Sequence, residues 1–139
     1  MDQWAVCIAT EGTDKFIVRI DETYRDPALR GNRPTRVSVR FLGNLMLDSM
    51  DERASFEEMF ESFLQQHDGA FVAGVARTGS YTFHAYTRSD NFQPKDIPID
   101  EKLQPMSTVS IYDDPQWLEY ESLLPTKESF LMKLARWFG

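Results

Sequence analysis

"AFVAGVAR" (70–77) and "SYTFHAYT" (80–87) are separated only by Thr78 and Gly79. Both runs are built from β-branched, aromatic and small residues. A two-residue connection between such runs needs a positive φ, which glycine accepts without a Cβ penalty. The stretch therefore predicts a β-hairpin, and a hairpin is antiparallel by construction. In its second strand Tyr81, Phe83 and Ala85 share one face, and Thr82, His84 and Tyr86 share the other.

The same period-two pattern recurs on both sides. Trp4, Val6 and Ile8 alternate with Ala5, Cys7 and Ala9, so residues 3–10 read as a strand. Phe16, Val18 and Ile20 make one face of a second strand. Val37, Val39 and Phe41 make one face of a third, with Arg36 and Arg40 on its reverse. Val109 and Ile111 mark a last strand after a proline-punctuated loop. Between the strands, "ASFEEMFESFLQQHDG" (54–69) switches to helical spacing. Phe56, Met59, Phe60, Phe63 and Leu64 form one stripe. Ser55 and Glu58 have capping-box spacing, and Gly69 stands where a left-handed helix cap is expected.

"YDDPQWLEYESLLP" (112–125) poses a choice. Asp113 and Asp114 could be an acid pair beside aromatics, or Asp114 could open a helix. Asp is a strong N-cap, Pro115 suits the position after it, and Pro125 stops the helix near Leu124. Trp117, Tyr120 and Leu124 would share a buried face. No typical nucleophile or base accompanies the carboxylates, so capping is the better reading. "PTKESFLMKLARWF" (125–138) carries Phe130, Leu131, Leu134 and Phe138 at helical spacing. The expected architecture is α+β, in one domain over 1–139. A mostly antiparallel sheet of about six strands carries one mid-chain helix and two C-terminal helices on one side.

The formal net charge is −7 over 139 residues. Phosphate neutralisation by Lys and Arg supplies most non-specific nucleic-acid affinity, so general DNA, RNA and anionic-membrane binding is disfavoured. No run approaches the roughly 20 apolar residues of a membrane span. "MDQWAVCIAT" lacks a basic n-region and a long apolar core, and a single Cys7 forms no internal disulfide, so a cytoplasmic home is expected.

Candidate chemistry is sparse. Two histidines and one cysteine offer no spaced metal-ligand set, and no glycine motif for phosphate occurs, so neither a metal nor a cofactor is expected. Cys7 among alanines reads as a small buried hydrophobe. His67 at a helix end suits the helix C-terminus. His84 beside Tyr86 could line a shallow pocket, although a half-exposed strand histidine is the commoner situation. Arg25, Arg30, Arg33, Arg36 and Arg40 crowd a short stretch opposed only by Asp26. Arginine suits bidentate anion recognition, yet such runs often form a solvated face, which here would balance Glu57, Glu58 and Glu61.

"DPQWLEYESLLP", "RTGSYTFHAY" and the Trp4 strand leading to "FIVRID" resemble the family called domain of unknown function 695. The resemblance runs from Trp4 to Pro125. It rests on Asp114-Pro115-x-Trp117-x-x-Tyr120 and on a glycine-turn hairpin ending at Tyr86. It implies a module of the kind found beside domains similar to the regulator of ribonuclease E activity B. It implies no catalytic residue.

Together these features favour a protein-interaction or regulatory module rather than an enzyme. Its binding candidates are Arg25, Arg30, Arg33, Arg36, His84 and Tyr86, its partner an unknown protein, with room for a homodimer. The rivals are a small-ligand binder or enzyme using the Thr82/His84/Tyr86 face, and a structural oligomerisation unit.

Overall fold

The computed structural model describes residues 3–88 and 91–125. Six antiparallel strands form one sheet in the order β1-β2-β4-β5-β3-β6. They are β1 (Trp4–Glu11), β2 (Asp14–Asp21), β3 (Thr35–Leu42), β4 (Gly69–Arg77), β5 (Ser80–Thr87) and β6 (Ser107–Asp113). The helices are α1 (Leu45–Asp48), α2 (Met50–Gln66) and α3 (Leu118–Leu123). The hairpin of β4 and β5 is at the centre, turning at Gly79 with φ +77°. A second C-terminal helix was expected in a segment, 126–139, that lies outside the described residues.

The helices do not share one side of the sheet, as the sequence had implied. The stripe of α2, led by Phe56, Phe60, Phe63 and Leu64, packs on Val37, Val39, Phe41, Phe71 and Phe83. Trp117 and Tyr120 pack on the opposite face, with Val18, Ile20, Ala70, Val72 and Tyr86. Each such side chain contributes about 1.5–3 kcal/mol on burial. β4 serves both layers through an irregularity between Phe71 and Ala73. The extra residue places Val72 and Ala73 together in the α3-side cluster, while Phe71 stays on the α2 side. Thereafter the alternation is inverted, and Gly74 lies below the Tyr81 ring. A Cβ there would sit 2.5 Å from the Tyr81 hydroxyl, so this position is closed to larger residues by contact alone.

Two helix boundaries differ from those expected. α2 begins at Met50, and its cap is Ser49, whose side chain accepts from the Glu52 amide at 3.2 Å. The expected cap, Ser55, is inside the helix. Ser49 and Glu52 have the same three-residue offset, and Asp51 and Glu52 favour the positive N-terminus, so the helix starts six residues earlier than expected. At the other end Asp68, not Gly69, takes the left-handed conformation, with φ +52°. Gly69 starts β4, where a Cβ would lie 2.9 Å from Thr87 Cγ2 and 3.0 Å from Leu64 Cδ2.

α3 also starts late, at Leu118 rather than after Asp114. Trp117 stands before it with φ +56°, a strained conformation for a bulky residue. The surroundings hold it there. Its ring stacks on Tyr86 at 4.0 Å and 8°, and its indole N–H donates to the Arg33 carbonyl at 2.8 Å. The capping chemistry nevertheless survives. Asp114 accepts from the Leu118 and Glu119 amides at 2.9 and 3.3 Å. Leu124 is half-buried beyond the helix end.

Candidate functional site

The strand order forces the β2–β3 connection to cross the ends of β4 and β5. That connection carries the arginine run. Backbone carbonyls outside the sheet ladder find donors among these arginines. Arg30 Nε donates to the Tyr24 carbonyl at 2.8 Å. Arg33 donates to the Arg30 and Asp68 carbonyls, each at 2.9 Å. Arg25 reaches the Pro125 carbonyl at 3.2 Å. Carboxylates complete the set. Arg25 pairs with Glu22, Arg30 with Glu121, Arg33 with Asp68, and Arg36 with Glu119 and Asp114. Arg30 also lies over the Trp117 and Tyr120 rings, and Arg36 over Tyr112. The expected balance against Glu57, Glu58 and Glu61 is not how these arginines pair. Their carboxylates come chiefly from α3 and its approach, and it is Arg19 that meets Glu57.

Tyr86 is fully buried in this packing. Its hydroxyl donates to Asp114 Oδ2 at 2.7 Å and accepts from the Tyr120 amide at 3.3 Å. Burial, then the bond to Asp114, pushes its ionisation far up. Burial opposes ionisation of Asp114, but the Tyr86 hydroxyl, the Leu118 and Glu119 amides and Arg36 outweigh it and hold the carboxyl below its usual range. Tyr86, Asp114, Trp117 and Tyr120 thus pack against one another.

His84 is not half-exposed. It is 8% exposed, and its Nδ1 lies 2.7 Å from Ser38 Oγ, its cross-strand neighbour. Its Nε2 is 3.7 Å from Glu119 Oε1, too far for a hydrogen bond. With the proton on Nε2, the side that faces Glu119, Nδ1 would accept from the Ser38 hydroxyl. Burial first, then Arg36, lowers its pKa to about 4, which keeps the ring neutral near pH 7. Cys7 is buried on β1, with two strands between it and β5, and Cys7 and His84 make no nucleophile pair.

A cavity of about 290 Å³ opens beside His84, between the sheet and α3. Arg40, Ser80, Thr82 and Glu119 supply its polar wall, Val75 and Leu123 its apolar one. Pairing of β3 with β5 brings Arg40 opposite Thr82, which sequence spacing alone does not show. Arg40, Ser80 and Thr82 have no side-chain hydrogen bond or ion pair with any described residue. Arg77 also borders the cavity, but it is engaged by Glu11 and Asp14 and lies over Phe16. Ser38 does not line the cavity, so the serine that His84 holds faces no substrate space. The bond to Ser38 orients the imidazole rather than activating a nucleophile.

A larger cavity, about 470 Å³, lies between α2 and the 96–98 segment. Among the described residues its ionisable groups are the acids Glu58 and Asp96, with no cation or histidine beside them. Among the described residues no group of His, Cys, Asp and Glu is arranged to hold a metal, and no helix is long and apolar enough to cross a membrane. Comparison with protein-family models, with curated proteins and with solved structures found no match for the chain.

Proposed function

We propose that this domain binds a small anionic molecule, a carboxylate or phosphate ester, in the cavity beside His84. Arg40 supplies the charge. The Thr82 and Ser80 hydroxyls and the His84 Nε2–H orient the bound oxygens. The observation that carries this reading is convergence: cation, hydroxyls and a neutral imidazole face one space with hydrogen-bonding capacity unused. The volume suits a ligand smaller than the drug-sized molecules that fill about 300–1,000 Å³. Negative net charge does not oppose this, because the local wall decides the potential in a concave site. Among the described residues no base is hydrogen-bonded to the Ser80 or Thr82 hydroxyl, so binding rather than turnover is the activity proposed.

The test is thermal unfolding with inorganic phosphate and a panel of small mono- and dicarboxylates. A ligand that binds only the folded state raises Tm in a saturable way. Arg40→Gln and Thr82→Val should remove the rise and leave the unliganded Tm nearly unchanged. No saturable rise with any of these anions, or an equal rise in Arg40→Gln, would defeat the reading.

A protein-contact role remains a second reading. It is favoured by the exposed Ile8–Ile17 pair on the other face of the sheet, and less by Arg25, Arg30, Arg33 and Arg36, which are occupied within the chain.

A further inference from the structure

α2 covers only part of its face of the sheet. Strand alternation puts Phe16, Val18 and Ile20 on the α3 side, so Lys15, Ile17 and Arg19 of β2 point to the α2 side. Val6 and Ile8 of β1 lie beside them. Ile8 and Ile17 face each other across the ladder, and they are 41% and 50% exposed. β1 is the outer strand, so this apolar strip runs open to the sheet edge.

The strip deepens into a groove of about 190 Å³ at its inner end. Val6, Ile17 and Ala76 form its apolar walls, and Gly74, having no side chain, leaves the Tyr81 hydroxyl at its floor. That hydroxyl has no hydrogen-bond partner among the described residues, and burial raises its pKa, so it stays a donor. Cations rim the groove. Arg19 and Arg53 line it, and Lys15 stands at the far side of Ile17. Arg19 is paired with Glu57, but its Nε is buried without a partner. Among the described residues Arg53 makes only a 3.5 Å contact to the Leu47 carbonyl, and it lies 5.6 Å over the Tyr81 ring. In a chain of net charge −7, an apolar strip bordered by three cations and one acid is a local inversion of sign.

We propose that this strip docks an acidic segment of a partner protein, with one apolar side chain in the Val6/Ile17/Ala76 groove. Its flanking carboxylates meet Arg53 and Lys15, while Arg19, held by Glu57 and the Trp4 and Phe71 rings, borders the groove, and the Tyr81 hydroxyl donates to its backbone or to a carboxylate. An apolar anchor in a pocket ringed by charge complementarity is the arrangement that concentrates binding energy at interfaces. A second copy of this acidic chain fits less well, because like net charges oppose its approach. The inference is independent of the anion cavity, which lies on the opposite face.

The experiment uses the full chain and a fluorescein-labelled acidic peptide of about twelve residues, with a single central leucine among Glu and Asp, read by anisotropy. Saturable binding that weakens with added salt is expected. Ile17→Glu and Arg53→Glu should each weaken it about tenfold or more, a change of about 1.4 kcal/mol. Lys95→Glu, a charge reversal away from the strip, should leave it unchanged. Absence of binding would overturn the proposal, as would equal binding of the lysine counterpart. Binding indifferent to Ile17→Glu and reproduced by heparin would reduce the strip to unspecific charge and also overturn it. Sedimentation showing a dimer that Ile17→Glu dissociates would give the surface to a second copy and exclude the acidic segment.

Discussion

The crossover between β2 and β3 and the cavity beside His84 both hold arginine, and they differ in what the arginine touches. Along the crossover, Arg30 and Arg33 are bound to carbonyls, carboxylates and aromatic rings of their own chain. In the cavity, Arg40 has no such partner among the described residues, and neither have Ser80 and Thr82 around it. Charge density in the sequence marks the first region, and unused bonding capacity in the structure marks the second. A cation already satisfied by its own fold has little left for a ligand, whereas one held over an open polar cavity keeps its full complement of donors.

The contrast predicts where stability and binding should separate. The largest effect belongs to Trp117, the residue on which crossover and α3 close. Trp117→Ala removes the stack on Tyr86, the bond to Arg33 and the ring beneath Arg30, and should cost about 4 kcal/mol in denaturant unfolding. A loss below about 1 kcal/mol would mean that the crossover does not depend on this packing.

The next concerns pH. The folded-state pKa of His84 is about 4 against an ordinary 6.5, so between these values the unfolded chain takes up a proton that the folded chain refuses. Stability should therefore fall as pH drops from about 6.5 to about 4, by about 3 kcal/mol in all. His84→Gln should flatten that slope. The Asp114 contribution, from a lowered carboxyl, is lost only at more acid pH, so the windows separate. A slope unchanged in His84→Gln would place the titration elsewhere.

A smaller effect separates capping from charge at Asp114. The capping reading alone makes Asp114→Asn nearly harmless. In the structure both carboxylate oxygens accept, Oδ1 from Leu118 and Oδ2 from Tyr86 and Glu119. An amide NH₂ must face a donor on one side, so Asn should cost about 2 kcal/mol. Equal stability of Asn and wild type would restore the simple cap. Smallest of all, Arg40→Ala should change stability by less than about 0.5 kcal/mol, while Arg30→Ala should cost about 1–2 kcal/mol through its lost bonds and ring contacts. Similar losses at both positions would erase the distinction between the two regions.

The strands and their inward faces were legible in the sequence because period-two alternation is local. So was the glycine of the central turn. The split of helices between two faces was not, because nothing in "DPQWLEYESLLP" says which side of a sheet it meets. The irregularity at Val72 was also hidden, since Ala, Val and Gly fit either face. Of the site, His84 and Thr82 were visible as one strand face. Arg40, Ser80 and Glu119 were not, because their convergence depends on the β3–β5 register and on the late start of α3. The left-handed turn at Trp117 is what delays that start, and no local propensity favours it.

The most direct test follows the arginine Nε–Hε and the Ser80 and Thr82 amide resonances by NMR while inorganic phosphate, and then a small dicarboxylate, is added. Saturable shifts at Arg40, Ser80 and Thr82, with Arg25, Arg30, Arg33 and Arg36 unmoved, are the expected result. Shifts confined to those four arginines, or none at Arg40, would contradict the assignment of the site.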